Sequence, residues 1–175
     1  MEASKVDILL QQFNTTLGEW IAFLNDYTLD QLRWKPAPNS WSLGQVYMHV
    51  TDDTAYFVGQ MRTAIASTTN GEKGMHLDAS AMFAVGAFPD TMIEGPATDT
   101  PIRQPENKVE LLQRLEAIEI EVNRLFAGFD EKKATGKTGH PGLGYFNAPE
   151  WLQFAEMHMR HHFLQKKRID QKLSQ

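Results

Sequence analysis

Apolar side chains recur three and four positions apart in four separate stretches of this chain, and nowhere do they alternate with the period of two that a strand requires. A chain patterned this way has only helices with which to bury its apolar surface. The first stretch runs from Lys5 to Tyr27, with Val6, Leu10, Phe13, Leu17, Trp20 and Leu24 along one stripe. The second begins near Ser42, where Ser42 and Gln45 have capping-box spacing, and continues through Ile65. The third follows Pro105, a residue suited to a first helical turn, and aligns Leu111, Leu115, Ile118, Val122, Leu125 and Phe129. The fourth opens at Asn147-Ala-Pro-Glu150, an N-cap with proline in the first turn, and runs to about Leu173.

Between the second and third patterns lies a segment from Ala66 to Gln104, broken by Gly71, Gly74, Gly86, Pro89, Gly95, Pro96 and Pro101. It is too long for a turn, so it reads as a crossover or a lid, with a short helix over Ala79 to Ala87. The expected architecture is all-α: a four-helix bundle with one long crossover connection, placed near the mouth of whatever cavity the bundle encloses. At 175 residues, 42% hydrophobic and 10% aromatic, the chain suits one domain over residues 1–175 with one ordinary core.

Composition excludes several functions. A net charge of -5 and a pI near 5.7 oppose an electrostatic grip on nucleic acid, and Lys166-Lys167-Arg168 falls in the last turns of a helix, where cations complement the dipole. With no cysteine there is no thiolate nucleophile, disulfide or Cys-type zinc site, so a metal would need histidine and carboxylate. Met1 to Gln12 carries Glu2, Lys5 and Asp7 and has no signal-peptide core, and no stretch approaches the ~20 apolar residues of a membrane span. A cytoplasmic protein is expected. The sequence contains no serine-hydrolase elbow, phosphate loop or dinucleotide fingerprint.

His158 and His162 stand at i and i+4, so both imidazoles leave one helical face a turn apart, as two ligands of one ion must. Stepping ~100° per residue groups them with Trp151, Ala155, Gln165 and Ile169, in the middle of an otherwise apolar stripe. Histidines in such a stripe need polar partners or a metal. His49 on the second helix could supply a third ligand, and three nitrogens leave a position open for water or substrate. His161 sits at the edge of the face, within reach of the pocket. Gln45, His49, Asp53, Tyr56 and Gln60 form a polar ribbon on the second helix. Asp53, one turn after His49, could orient an imidazole, fill a fourth position or act as a base; the alternative is that Asp52 and Asp53 face solvent. Core histidines held by hydrogen bonds are the alternative to the metal.

At these residues the chain resembles the DinB/YfiT-like superfamily of metal-binding four-helix bundles. The resemblance lies in Leu32-Arg-Trp-Lys-Pro-Ala-Pro-Asn-Ser-Trp-Ser-Leu-Gly44, the following His49, His140-Pro-Gly-Leu-Gly144, and His158-Met-Arg-His-His162-Phe-Leu-Gln165, in that order over nearly the whole chain. It implies a divalent metal held by His49, His158 and His162. It also implies a homodimer, which the large residues Trp20, Tyr27 and Phe88 would suit if one core cannot absorb them. Family members resemble thiol-dependent transferases or metal-dependent hydrolases.

Two classes of function follow. In the first, the protein is an enzyme whose metal, zinc before nickel or iron, activates a small thiol cosubstrate or water against an electrophilic small molecule. Asp53 is then catalytic, and Tyr56, Gln165 and His161 line the pocket. In the second, the metal only staples the bundle of a stress-response binding or interaction module. A fourth position closed by a protein carboxylate would mark the staple, and an open one the enzyme.

Overall fold

The structure, a computed structural model, describes residues 3–89 and 101–175; the middle of the crossover, with Gly95 and Pro96, lies outside the described residues. The expected helices are present as α1 (Lys5–Leu24), α3 (Leu43–Ile65), α5 (Lys108–Phe126) and α6 (Ala148–Leu173), joined by the shorter α2 (Leu29–Arg33) and α4 (Leu77–Val85). Local chemistry sets their ends. Ser42 and Gln45 close a reciprocal capping box at the start of α3, and Asn147 with Glu150 does the same for α6. The first helix stops at Leu24 rather than Tyr27, because Thr28 and Gln31 form a further capping box that restarts the chain as α2. The crossover helix lies two residues earlier than the expected 79–87 and ends at Gly86, whose φ of 68° a residue with a Cβ rarely adopts.

Pro105 does not open α5. Asn107 caps that helix, and Pro105 instead packs against the first turn of α3, where a Cβ on Gly44 would lie 2.8 Å from its ring and 2.9 Å from the Leu32 carbonyl. Arg33 adds hydrogen bonds to the carbonyls of Pro105 and Glu106. The Leu32 to Gly44 motif is therefore the corner where α2, α3 and the end of the crossover meet. A small antiparallel hairpin, β1 (Thr138–His140) with β2 (Gly144–Phe146), precedes α6, and three-residue strands are too short to leave an alternating pattern. Gly144, at φ 91°, lets Gly74 to His76 lie against it; Tyr145 N–H donates to the Gly74 carbonyl at 3.0 Å.

Helices α1 and α3 each pack against both α5 and α6, so they lie diagonally across the bundle. The interior is filled by Phe13, Leu17 and Trp20 from α1, Val46, Val50 and Met61 from α3, Leu111, Leu115 and Val122 from α5, and Trp151, Leu152 and Met159 from α6. Each such side chain contributes about 1.5–3 kcal/mol on burial. Trp20 and Tyr27 are buried in this core and Phe88 is half-buried, so these three are not a surplus; Trp34, Leu77 and Ile120 are exposed instead. Trp20 donates its indole N–H to the Met159 carbonyl, and Tyr27 donates to Asp170. No helix among the described residues is long and apolar enough to cross a membrane.

Candidate metal centre

Helix α3 makes its most extensive packing against α6, and the two cross where each departs from an apolar surface. His49 is on α3, half-buried; His158, one turn before His162 on α6, is buried. Their ring nitrogens converge. His162 Nε2 lies 3.1 Å from His49 Nε2 and 3.2 Å from His158 Nε2, and the three ligand atoms all fall within 4.8 Å of one another. Nitrogens bound tetrahedrally at 2.0–2.1 Å to one ion would stand about 3.3–3.4 Å apart, close to the two distances from His162 Nε2.

Protonation suits the same reading. Burial pushes all three imidazoles below their usual range: His158 well below it, His162 to about 4, and His49 downward against the opposing charges of Asp53 and Asp52. Neutral imidazole is the ligand form. His162 Nδ1 faces Gln165 Oε1 at 2.9 Å, and an amide oxygen only accepts, so the proton sits on Nδ1 and the lone pair on Nε2. That one lone pair faces two other ring nitrogens. Hydrogen bonding alone would ask it to accept from both, whereas a divalent cation takes all three lone pairs at once, so these residues fit a metal. His158 Nδ1 is buried with no hydrogen-bond partner among the described residues.

Asp53 lies at the rim. One carboxylate oxygen is 3.6 Å from His49 Nδ1 and the other 3.5 Å from His158 Nε2, yet Asp53 does not join the set of atoms that converge. Its side chain is 40% exposed against 9% for His158, so the cluster opens toward solvent on this side. Burial raises the Asp53 carboxyl pKa, opposed by His49. Asp52 faces outward to Arg114 on α5. Of the other expected pocket residues, Gln165 touches His162, and the His161 ring lies 5.6 Å from that of His162. Tyr56 is different: it is exposed, with its ring against Phe57 and Trp151 rather than any of the three histidines.

Three aromatic rings also border the cluster. Trp41 is 5.2 Å from His49, Phe57 is 5.5 Å from His158, and Phe88 is 6.1 Å from His158. The position of Phe57, two turns after His49, could have revealed it, and Trp41 lies inside the Leu32 to Gly44 motif. Phe88 sits in the crossover, where no periodicity speaks.

No curated protein and no solved structure matches the chain. A family model of the DinB superfamily does, over residues 12–165. Membership and a three-histidine cluster together fit a metal-binding domain. The match starts within α1 and ends on Gln165, the residue that sets the tautomer of His162, so it takes in the whole cluster, and the chain belongs to the DinB superfamily.

Proposed function

We propose that this protein is a metal-dependent enzyme, a thiol transferase or a hydrolase, acting on an electrophilic small molecule. The observation that carries this reading is a set of three neutral imidazole nitrogens that converge while the neighbouring carboxylate, Asp53, stands outside the set on the exposed side. A divalent ion bound there supplies Lewis acidity, lowering the pKa of a small thiol or water that enters its remaining position. His49, His158 and His162 would hold the ion, and Gln165 keeps the His162 lone pair turned inward. Asp53, at the rim of the cluster, would take or orient the proton of the entering nucleophile. His161 would flank the approach. Zinc is the first candidate and nickel or iron the next, since imidazole suits all three.

A non-catalytic staple has one observation in its favour: the histidines join α3 to α6, so metal binding would also be folding free energy. Elemental analysis of protein purified without a metal-affinity column, followed by screening of electrophiles with and without small thiols, separates the two. Stoichiometric metal with turnover supports the enzyme. Stoichiometric metal that raises thermal stability and turns over nothing supports the staple. A homodimer is proposed from family resemblance alone; sedimentation that shows only monomer at micromolar concentration would remove it.

A further inference from the structure

Helix α4 is poorly equipped to hold its own place. Ala79 is its one buried residue, while Leu77 is 89% and Val85 78% exposed. Two side chains of α6 reach its C-terminal end instead. Gln153 Nε2 donates to the Phe83 carbonyl at 3.1 Å, and Arg160 Nη2 donates to the Gly86 carbonyl at 2.6 Å. A guanidinium suits this position, because the last carbonyls of a helix lack intrahelical donors and carry the negative end of the dipole. Two residues beyond Gly86, Phe88 packs 5.1 Å from Phe154, 6.1 Å from His158 and 5.5 Å from His161.

Arg160 is itself held. One turn earlier on α6, the buried Glu156 accepts from Arg160 Nε at 2.8 Å and from Nη2 at 2.9 Å, and it also accepts from Thr16 of α1 at 2.9 Å. An exposed i,i+4 ion pair would fix little, but a carboxylate 8% exposed and anchored to a second helix gives the guanidinium one orientation. The planar fork serves Glu156 and Gly86 together, which a lysine ammonium cannot do in the same geometry. We infer that Arg160 is a positioning residue for the histidine cluster: Glu156 orients its guanidinium, the guanidinium holds the Gly86 carbonyl, and that hold seats Phe88 over His158 and His161. Its importance to function rests on the ligand reading above.

Carbethoxylation of the metal-free protein by diethyl pyrocarbonate, followed by mass spectrometry at His158 and His161, reads the cover directly. Arg160→Lys and Phe88→Ala should each raise the rate about tenfold, the scale of one charge-assisted hydrogen bond. The double variant should react no faster than Phe88→Ala, since both changes remove the same cover. A wild-type rate in Arg160→Lys, or rates that multiply in the double variant, would overturn the inference. The Arg160 side chain is 43% exposed, so lysine fits there; Glu156→Gln, which loosens the same guanidinium without changing it, should give the same acceleration as Arg160→Lys. On cobalt(II)-loaded protein, Arg160→Lys should lose its ion to a chelator about tenfold faster at unchanged stoichiometry. An unchanged rate of loss overturns the link to the metal site. Unaltered protein that binds no cobalt sinks the ligand reading, and the carbethoxylation rates then decide the positioning role by themselves.

Discussion

The seam between α3 and α6 has two ends that pack alike and differ in what they pack. At one end Phe57 stacks on Trp151 with ring centres 5.6 Å apart and meets Phe154 edge-on at 5.1 Å. Two turns away the same helices meet through His49, His158 and His162, with ring centres 4.6–5.1 Å apart. Among Phe57, Trp151 and Phe154 the one polar atom is the Trp151 indole N–H, which donates to Thr138. Its burial is therefore net stabilisation. The histidine end is less fully buried, and it sets one lone pair, on His162 Nε2, before two other ring nitrogens, an arrangement that hydrogen bonds satisfy poorly and a cation satisfies well. One end holds the helices together, and the other uses that rigidity to hold three donors in place.

The strongest way to break this comparison is to remove a donor. His158→Ala should abolish tight metal binding, a loss beyond the ~10–100-fold typical of a supporting group, as read by elemental analysis after dialysis. Retention of one equivalent of metal would show that the histidine end is only core. Next, Asp53→Asn should keep the metal and lose about 10²–10⁴-fold in rate on any substrate found, the usual share of a general acid or base. Metal lost with it would make Asp53 a ligand, and an unchanged rate would make it a bystander. At the aromatic end, Trp151→Ala should cost about 3–5 kcal/mol in urea unfolding of the metal-free protein. A cost below ~1 kcal/mol would mean that the two ends do not differ in role.

The smallest expected effect sharpens the contrast through pH. His162 is held at about 4 in the folded chain against 6.5 in the unfolded one, so in that window the unfolded state binds more protons. His162's share of the stability of the metal-free protein should be fully present above pH 6.5, fall as the pH drops toward about 4 and level off below it. With His162 partly open to solvent, its share is on the order of 1–2 kcal/mol. The midpoint of urea unfolding measured across the window checks the sign, and His162→Gln should flatten the slope.

Much of the bundle was legible because its signals are local. Ser42 with Gln45 and Asn147 with Glu150 specify helix starts through atoms three residues apart, and the apolar stripes specify which faces turn inward. The pair His158 and His162 was legible for the same reason: one helical turn separates the two rings whatever else the chain does. The role of Pro105 was not legible, since proline at a first helical turn and proline packed on a distant glycine look identical in sequence. Tyr56 was placed with the polar ribbon of α3, yet its ring turns to Trp151, because a helical wheel gives a direction only to within a fraction of a turn.

By itself, then, the sequence determined the four long helices, which stripe of each is buried, and that two histidines share one face, all consequences of a 3.6-residue repeat acting over neighbours. Tertiary structure alone decided that His49 meets that pair at 3.1 Å, that Asp53 stands at the rim rather than inside the set, and that Arg160 and Phe88 from distant segments close one side. The reason is physical. Where one helix lies along another depends on the rotation and register of packed surfaces, which are collective properties of the core and are not encoded in the spacing of any few residues.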